Sequence, residues 1–207
     1  MMYYRFVLLI CLITCGLYGQ SQNSFSVLAG GEFPFGQFAD EDVFEGGGNA
    51  GKGFSVQVEL ARRFTPESGF GVKLGYYRLS QKEMISNRNF SVAFIPLGFS
   101  YTHYIRPGAR AVPFISAGLG ANFVRITRDQ QDEDITASKA LVGFNAAAGT
   151  DIELSKTAAL VLFLQWNLIL TNSERFEFGE GFFDLEPAFN ATFFSLGVGY
   201  KFSFGAK

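Results

Sequence analysis

Leu160-Val161-Leu162-Phe163-Leu164-Gln165-Trp166-Asn167-Leu168-Ile169-Leu170 is the stretch whose reading decides the fold. Leu160, Leu162, Leu164, Trp166, Leu168 and Leu170 fall on every second position, while Gln165 and Asn167 fall on the positions between. Successive side chains of a strand point to opposite faces, so this spacing gathers the large apolar groups on one face and the amides on the other. A helix over the same residues would have to bury Gln165 and Asn167 or interrupt its apolar surface with them. The segment is a strand.

The same alternation recurs along the chain. Phe54, Val56, Val58 and Leu60 oppose Ser55, Gln57 and Glu59; Phe70, Val72, Leu74 and Tyr76 oppose Gly71, Lys73 and Gly75. Ile115, Ala117, Leu119, Ala121 and Phe123 oppose Ser116, Gly118, Gly120 and Asn122; Val142, Phe144, Ala146 and Ala148 oppose Gly143, Asn145 and Gly149. Phe194, Leu196, Val198, Tyr200 and Phe202 oppose Ser195, Gly197, Gly199 and Lys201. Weaker segments near 24–33 and 90–104 bring the expectation to about eight strands, within the usual strand number of a small barrel.

Which face is buried decides the class. A soluble sandwich turns charged residues outward, yet the second face of these strands carries Gly, Ser, Asn, Gln and only isolated charges. Charged residues make up 17% of the chain, below the ~25% of an average soluble domain, whereas Phe (25 residues) and Gly (24) are heavily used. Small polar groups suit the crowded bore of a narrow barrel, and broad apolar faces suit lipid. Closing the sheet also removes the unpaired edge that hydrocarbon would not tolerate.

The connections point the same way. Thr65-Pro66-Glu67-Ser68, Arg106-Pro107-Gly108-Ala109-Arg110 and Ser155-Lys156-Thr157 are short, whereas the links near 34–52, 81–89, 126–138 and 171–188 are longer and more polar. Short and long links alternate, as tight periplasmic turns alternate with larger outside loops in membrane barrels.

Residues 1–19 read as a cleaved export signal: Arg5 begins it, Phe6 to Cys15 is its apolar core, and Gly16-Leu17-Tyr18-Gly19 is the cleavage region. A core of about ten apolar residues is too short to span a bilayer as a helix. Both cysteines, Cys11 and Cys15, lie within it, which leaves residues 20–207 without thiol or disulfide chemistry. A rival reading makes Leu12-Ile13-Thr14-Cys15 a lipoprotein signal acylated at Cys15, but Thr14 is large for the position before such a cysteine. The net charge of −2 and pI near 5.5, with no basic stripe, argue against a nucleic-acid partner.

Residues 20–207 therefore read as one all-β domain, a closed antiparallel up-and-down transmembrane barrel. Nearly the whole of it resembles the eight-stranded outer-membrane β-barrel family, the OmpA/OmpX-like transmembrane domains. Gly30-Gly31-Glu32-Phe33-Pro34-Phe35-Gly36 and Pro113-Phe114-Ile115-Ser116-Ala117-Gly118-Leu119-Gly120 are similar to recurring segments of that group. Ser195, Gly197, Tyr200 and Phe202 resemble, in order, the terminal signal read by the barrel-insertion machinery, although the chain runs on to Lys207. The resemblance implies integral localisation in a bacterial outer membrane and contact with its lipid and lipopolysaccharide; because the chain ends with its last strand, no following peptidoglycan-binding domain is expected.

Candidate sites follow from that frame. Glu32, Glu59, Lys73, Asp151, Glu153 and Lys201 carry the charges expected to face the bore, and Glu59 and Lys73 are placed to meet across the turn near 66. Buried charges need partners, so these six are expected to form a polar network that plugs the bore; a gated ion path is the alternative. His103 is the sole histidine, and any hydrolytic site of Ser-His type would have to use it. Since lipid A-modifying enzymes include eight-stranded barrels, such an enzyme is the rival function. His103 falls before the short turn at 106–110, away from the long loops, where an interfacial aromatic belt with Phe99, Tyr101 and Tyr104 is the simpler role.

The long connections are acidic. Asp40, Glu41, Asp42 and Glu45 lie in the first, Asp129, Asp132, Glu133 and Asp134 in the third, and Glu174, Glu177, Glu180, Asp184 and Glu186 in the fourth. They lack the spacing and central Gly of a calcium loop, so no metal is expected. Phe35, Phe38, Phe44, Phe176, Phe178, Phe182 and Phe183 are interleaved with them, either to contact an unknown protein partner or to cap the barrel mouth. No His/Cys ligand cluster or phosphate-binding glycine loop is present in the mature sequence, so neither a cofactor nor enzymatic activity is expected. The expected role is structural or surface interaction, with a lipid A enzyme or narrow pore as alternatives.

Overall fold

The computed structural model describes residues 22–40, 48–81, 90–129, 134–171, 176 and 190–205. The proposed signal at 1–19 and most of the loop acids lie outside the described residues. Eight strands follow one another in chain order: β1 (Gln22–Pro34), β2 (Ala50–Thr65), β3 (Ser68–Gln81), β4 (Phe90–Tyr104), β5 (Ala111–Asp129), β6 (Asp134–Ser155), β7 (Ala158–Ile169) and β8 (Ala191–Phe204). Every neighbouring pair is antiparallel, and β8 pairs back onto β1 from Asn23↔Phe204 to Pro34↔Phe193, closing the barrel. A 3-10 turn, Gly36–Ala39, follows β1.

The facing is decided by exposure. Leu164 and Leu196 are 49% and 59% exposed, whereas Gln165 and Asn167 are 2% and 6% exposed and Ser195 is wholly buried. The large apolar groups therefore point away from the barrel axis. Val27, Val56, Leu74, Leu97, Leu164, Leu196 and Val198 form an aliphatic belt around the outside. Phe25, Phe64, Phe70, Tyr101, Phe202 and Phe204 ring it on the side of the short turns, with Phe64 stacked on Phe70 at 5.2 Å. Phe33, Phe54, Tyr76 and Phe194 ring the other end. Aromatic girdles flanking an apolar band are the form a barrel takes at two membrane interfaces.

Three expectations change. The third outer connection is not a loop over 126–138, because β5 and β6 continue as a ladder to Asp129↔Asp134 and leave only 130–133 between them. Ile126, Thr127, Ile135 and Thr136 are β-formers, and with β4 also paired to β5 as far as Phe90↔Arg128 the ladder satisfies backbone groups that a loop would leave to water. Link length therefore does not sort cleanly by end. Tyr104 is not in the outer aromatic belt but 5% exposed inside the bore, because it has the inward parity of Ser100 and Thr102. Strand β1 is longer than 24–33 at both ends.

Glycines on the inner face let strands approach closely. Gly98 and Gly120 are partners in the β4–β5 ladder, and a Cβ on Gly120 would collide with the Gly98 Cα and the Leu97 carbonyl oxygen. Backbone cannot swing aside as a flexible side chain can, so Gly120→Val should destabilise the barrel by about 1–3 kcal/mol. A lowered urea midpoint in lipid vesicles is the expected result; an unchanged midpoint would contradict the close approach.

Candidate functional site

The bore is filled in layers. Nearest the short turns, the Lys201 ammonium donates to Asp151 Oδ2 at 2.5 Å and to the Tyr104 hydroxyl at 3.5 Å. Arg63 lies 4.0 Å from the same carboxylate oxygen, with its guanidinium 3.7 Å over the Tyr104 ring. An apolar layer of Leu28, Val161, Phe163 and Phe114 packs close by. Farther in, the Ser100 hydroxyl donates to Glu59 Oε1 at 2.8 Å.

A second polar chain crosses the bore toward the other end. Gln165 Nε2 donates to the Tyr77 hydroxyl at 3.0 Å and to Asn167 Oδ1 at 2.6 Å. Asn167 Nδ2 donates to Ser195 Oγ at 2.9 Å, and that hydroxyl donates to Glu32 Oε2 at 2.5 Å. The chain links β3, β7, β8 and β1: the first bond crosses the bore, the second lies within β7, and the last two join strands that already pair through their backbones. The Ser195 hydroxyl thus satisfies one oxygen of the buried Glu32 carboxyl, while Oε1 has no hydrogen-bond partner among the described residues.

Two cavities of about 30 Å³ flank Lys73, which lines both. Gln57 Nε2 and Asn145 Oδ1 face the first, and Ser26 Oγ and Ser116 Oγ the second; none of the four has a protein hydrogen-bond partner. Each space is large enough for one water molecule, which needs roughly 10–15 Å³ and polar partners.

Beyond the second polar chain an aromatic and aliphatic cluster fills much of the bore, although Lys139 shares the inward parity opposite Val124 and Asn49 and Thr171 are buried at the same end. Phe94 stacks on Phe193 at 5.6 Å, Tyr77 meets Phe193 edge-on at 5.5 Å, and Phe38 meets Phe94 edge-on at 6.2 Å. Leu79, Val124, Ile126, Leu141, Ile169 and Phe176 complete this cluster. Phe38 and Phe176 thus cap the mouth from the connecting segments, whereas Phe35 stacks outside on Phe194 at 4.7 Å. The expected polar plug is therefore a polar interior sealed by an aromatic lid.

The expected charges are distributed unequally within this arrangement. Asp151 and Lys201 pair directly, and Glu32 belongs to the outer polar chain. Glu59 and Lys73 are cross-strand partners as the register demands, but Glu59 takes its bond from Ser100 and no ion pair joins the two among the described residues. Glu153 departs from the expectation: it is exposed at the rim, two positions beyond Asp151, where the bore opens to water. Of the insertion-signal residues, Tyr200 and Phe202 point outward and Ser195 and Gly197 inward. His103 lies at the outward-facing end of β4 beside Ser68 and Ile115. Tyr77, Tyr104, Arg63 and Ser100 were not read from the sequence as site residues. Parity continued from Lys73 and Gly75 to Tyr77 would have found the first.

Two outcomes follow. Lys201→Met alone strands a buried carboxylate and should cost about 3–5 kcal/mol, while Lys201→Met with Asp151→Asn should recover much of it. Urea unfolding of the three proteins in bicelles measures both. The sealed bore should also give no steady ohmic current in planar bilayers; a large, constant conductance would contradict the layered packing.

No protein-family model matches the sequence, and no curated protein matches it. Solved structures do. Neisserial surface protein A (NspA) superposes with a TM-score of 0.56 at 16% identity, covering 90% of this chain and 98% of its own. A major outer membrane protein from Thermus thermophilus gives 0.55 at 15% identity, covering 88% and 99%. Ail, the attachment invasion locus protein of Yersinia pestis, solved with the heparin analogue sucrose octasulfate, gives 0.51 at 11% identity, covering 89% and 99%. At these identities the likeness concerns the fold, and it agrees with the apolar belt and paired girdles. This chain has the fold of the eight-stranded outer-membrane β-barrels, the OmpA/OmpX-like architecture, with an exterior built for a bilayer.

Proposed function

We propose that the protein is a non-enzymatic outer-membrane barrel that holds acidic, aromatic-rich outer segments at the cell surface for contact with another macromolecule. The observation that carries this reading is the aromatic lid: Phe38, Phe94, Phe176 and Phe193 close the bore at the end where the long connections emerge. A bore closed there leaves the outer surface as the place for function. The fourth connection supplies Glu174, Glu177, Glu180, Asp184 and Glu186 with Phe178, Phe182 and Phe183 among them, and the first supplies Asp40, Glu41, Asp42 and Glu45. Carboxylates around apolar anchors favour a basic partner with an accessible apolar patch.

Ail was solved with a polyanion, sucrose octasulfate. The acidic outer connections of this chain would repel such a ligand, so a partner of opposite charge is the better fit. His103 supports a non-enzymatic reading, since it lies at the end of β4 remote from the long connections and on the outward face.

The test uses the full chain in lipid nanodiscs passed over surfaces bearing polylysine or heparin. Retention on polylysine should fall about tenfold when the five acids of 174–186 are replaced by their amides, whereas Glu67→Gln with Glu153→Gln at the opposite rim should change little. Preferential retention on heparin would defeat the proposal. Mass spectrometry of lipid A from cells with and without the protein tests the enzymatic alternative, which an altered acyl pattern would favour.

A further inference from the structure

The outward face of β3 to β6 changes chemistry one step beyond the aromatic girdle. Arg78, Ala93, Arg125 and Ser138 are successive cross-strand partners and form one row. Ser80, Ser91, Thr127 and Thr136 are successive partners in the next row, nearer the long connections. Arg78 has the outward parity of Leu74 and Tyr76, and Arg125 that of Phe123; both arginines are exposed. Lys52 stands on the neighbouring strand, its ammonium 5.9 Å from the Phe33 ring centre. No ion pair or hydrogen bond holds either guanidinium among the described residues, and neither row contains an acid.

An unpaired charge on the outside of a membrane barrel is costly in hydrocarbon and tolerated at the interface, so these arginines mark the headgroup level. Strands lie about 4.8 Å apart, which puts the two arginine Cα atoms roughly 10 Å from each other, within convergent reach of two long side chains. Ala93 stands between them, and its methyl group leaves the space open. Guanidinium forks match the oxygens of a phosphate group; in the hydroxyl row Ser80 donates to the Lys52 carbonyl and Thr127 pairs with Thr136, which leaves the Ser91 hydroxyl, between the arginine strands, to donate to an oxygen they leave free. The opposite rim is built differently: Arg106, Arg110 and Lys156 lie in the turns with Glu67 and Glu153 nearby, and Arg62, paired with Phe70, is a lone outward arginine with no second one across the ladder.

We propose that Arg78 and Arg125, with the Ser91 hydroxyl in the row above, hold a phosphate of a phosphorylated lipid headgroup in the outward-facing leaflet. The site goes beyond surface display and does not depend on it. The acyl chains of the same lipid would lie against the apolar belt below, so headgroup and tails would meet complementary chemistry on one face of the barrel. The acidic outer segments would then stand beyond a cationic row neutralised by lipid.

The test takes the full-length barrel refolded in phosphatidylcholine bicelles and counts bound lipid by native mass spectrometry. The added probes are bisphosphorylated lipid A, the same lipid enzymatically dephosphorylated, and inorganic phosphate. Phosphorylated lipid A should bind. Arg78→Gln with Arg125→Gln should weaken it by about a hundredfold, roughly tenfold for each arginine. The Arg78→Lys/Arg125→Lys pair, which keeps charge but loses the fork, should fall between. Circular dichroism and heat-shifted gel mobility verify that each variant is folded, and Arg110→Gln with Lys156→Gln serves as the charge-matched control on the other rim. Equal binding by the arginine-to-glutamine pair and the native chain would overturn the proposal. So would an equal loss in the control, undiminished binding of the dephosphorylated lipid, or displacement of lipid A by inorganic phosphate.

Discussion

Hydrocarbon offers no partner to a backbone amide, and the whole molecule follows from that constraint. Each strand inside a bilayer must find its hydrogen bonds in other strands, and an open sheet would leave two edges unsatisfied. Pairing β8 back onto β1 over Asn23↔Phe204 to Pro34↔Phe193 removes both edges. Once the ladder is closed, side-chain alternation leaves only two destinations, lipid or bore. Leu164 and Leu196 go to lipid, while Gln165 and Ser195 go to the bore.

Eight strands enclose a space that side chains must fill. Its filling is economical in charge: Asp151 is offset by Lys201 with Arg63 nearby, and Glu32 and Glu59 each receive a serine hydroxyl. Inner-face glycines such as Gly98 and Gly120 provide the close approach on which tight pairing depends. A buried network of this kind adds specificity of register more than net stability, because desolvation offsets much of the attraction. Register matters here: a slip by one residue would turn every exterior leucine inward and every amide toward lipid.

The two ends of the barrel are chemically distinct. At one, short turns carry mixed charges around an open rim. At the other, Phe38 and Phe176 close an aromatic lid, an arginine row stands outside it, and the connecting sequences are rich in acids. Among the described residues the packed bore leaves the two ends as separate surfaces. That packing favours the proposed surface role over transport.

Period two in residues such as 160–170 determined strand, facing and class from sequence alone, because only a two-sided sheet in lipid puts leucines outward and amides inward. The short turns at Pro66-Glu67 and Lys156-Thr157 and the Glu59↔Lys73 register were legible for the same local reasons. Where both faces are apolar, alternation carries no sign. Tyr76-Tyr77-Arg78-Leu79, Phe123-Val124-Arg125-Ile126 and Phe193-Phe194 do not reveal which member turns inward until the register carried up from the glycine-rich middle assigns it. The aromatic lid, the inward Tyr104 and the outward arginine row were therefore decided by the closed tertiary structure. So were the exposure of Glu153 and the extension of β5 and β6 to Asp129↔Asp134, for depth in the bore and the reach of a ladder depend on neighbouring strands distant in sequence. Local alternation fixes that a residue changes face; only ring closure fixes where along the axis that face meets water, lipid or another side chain.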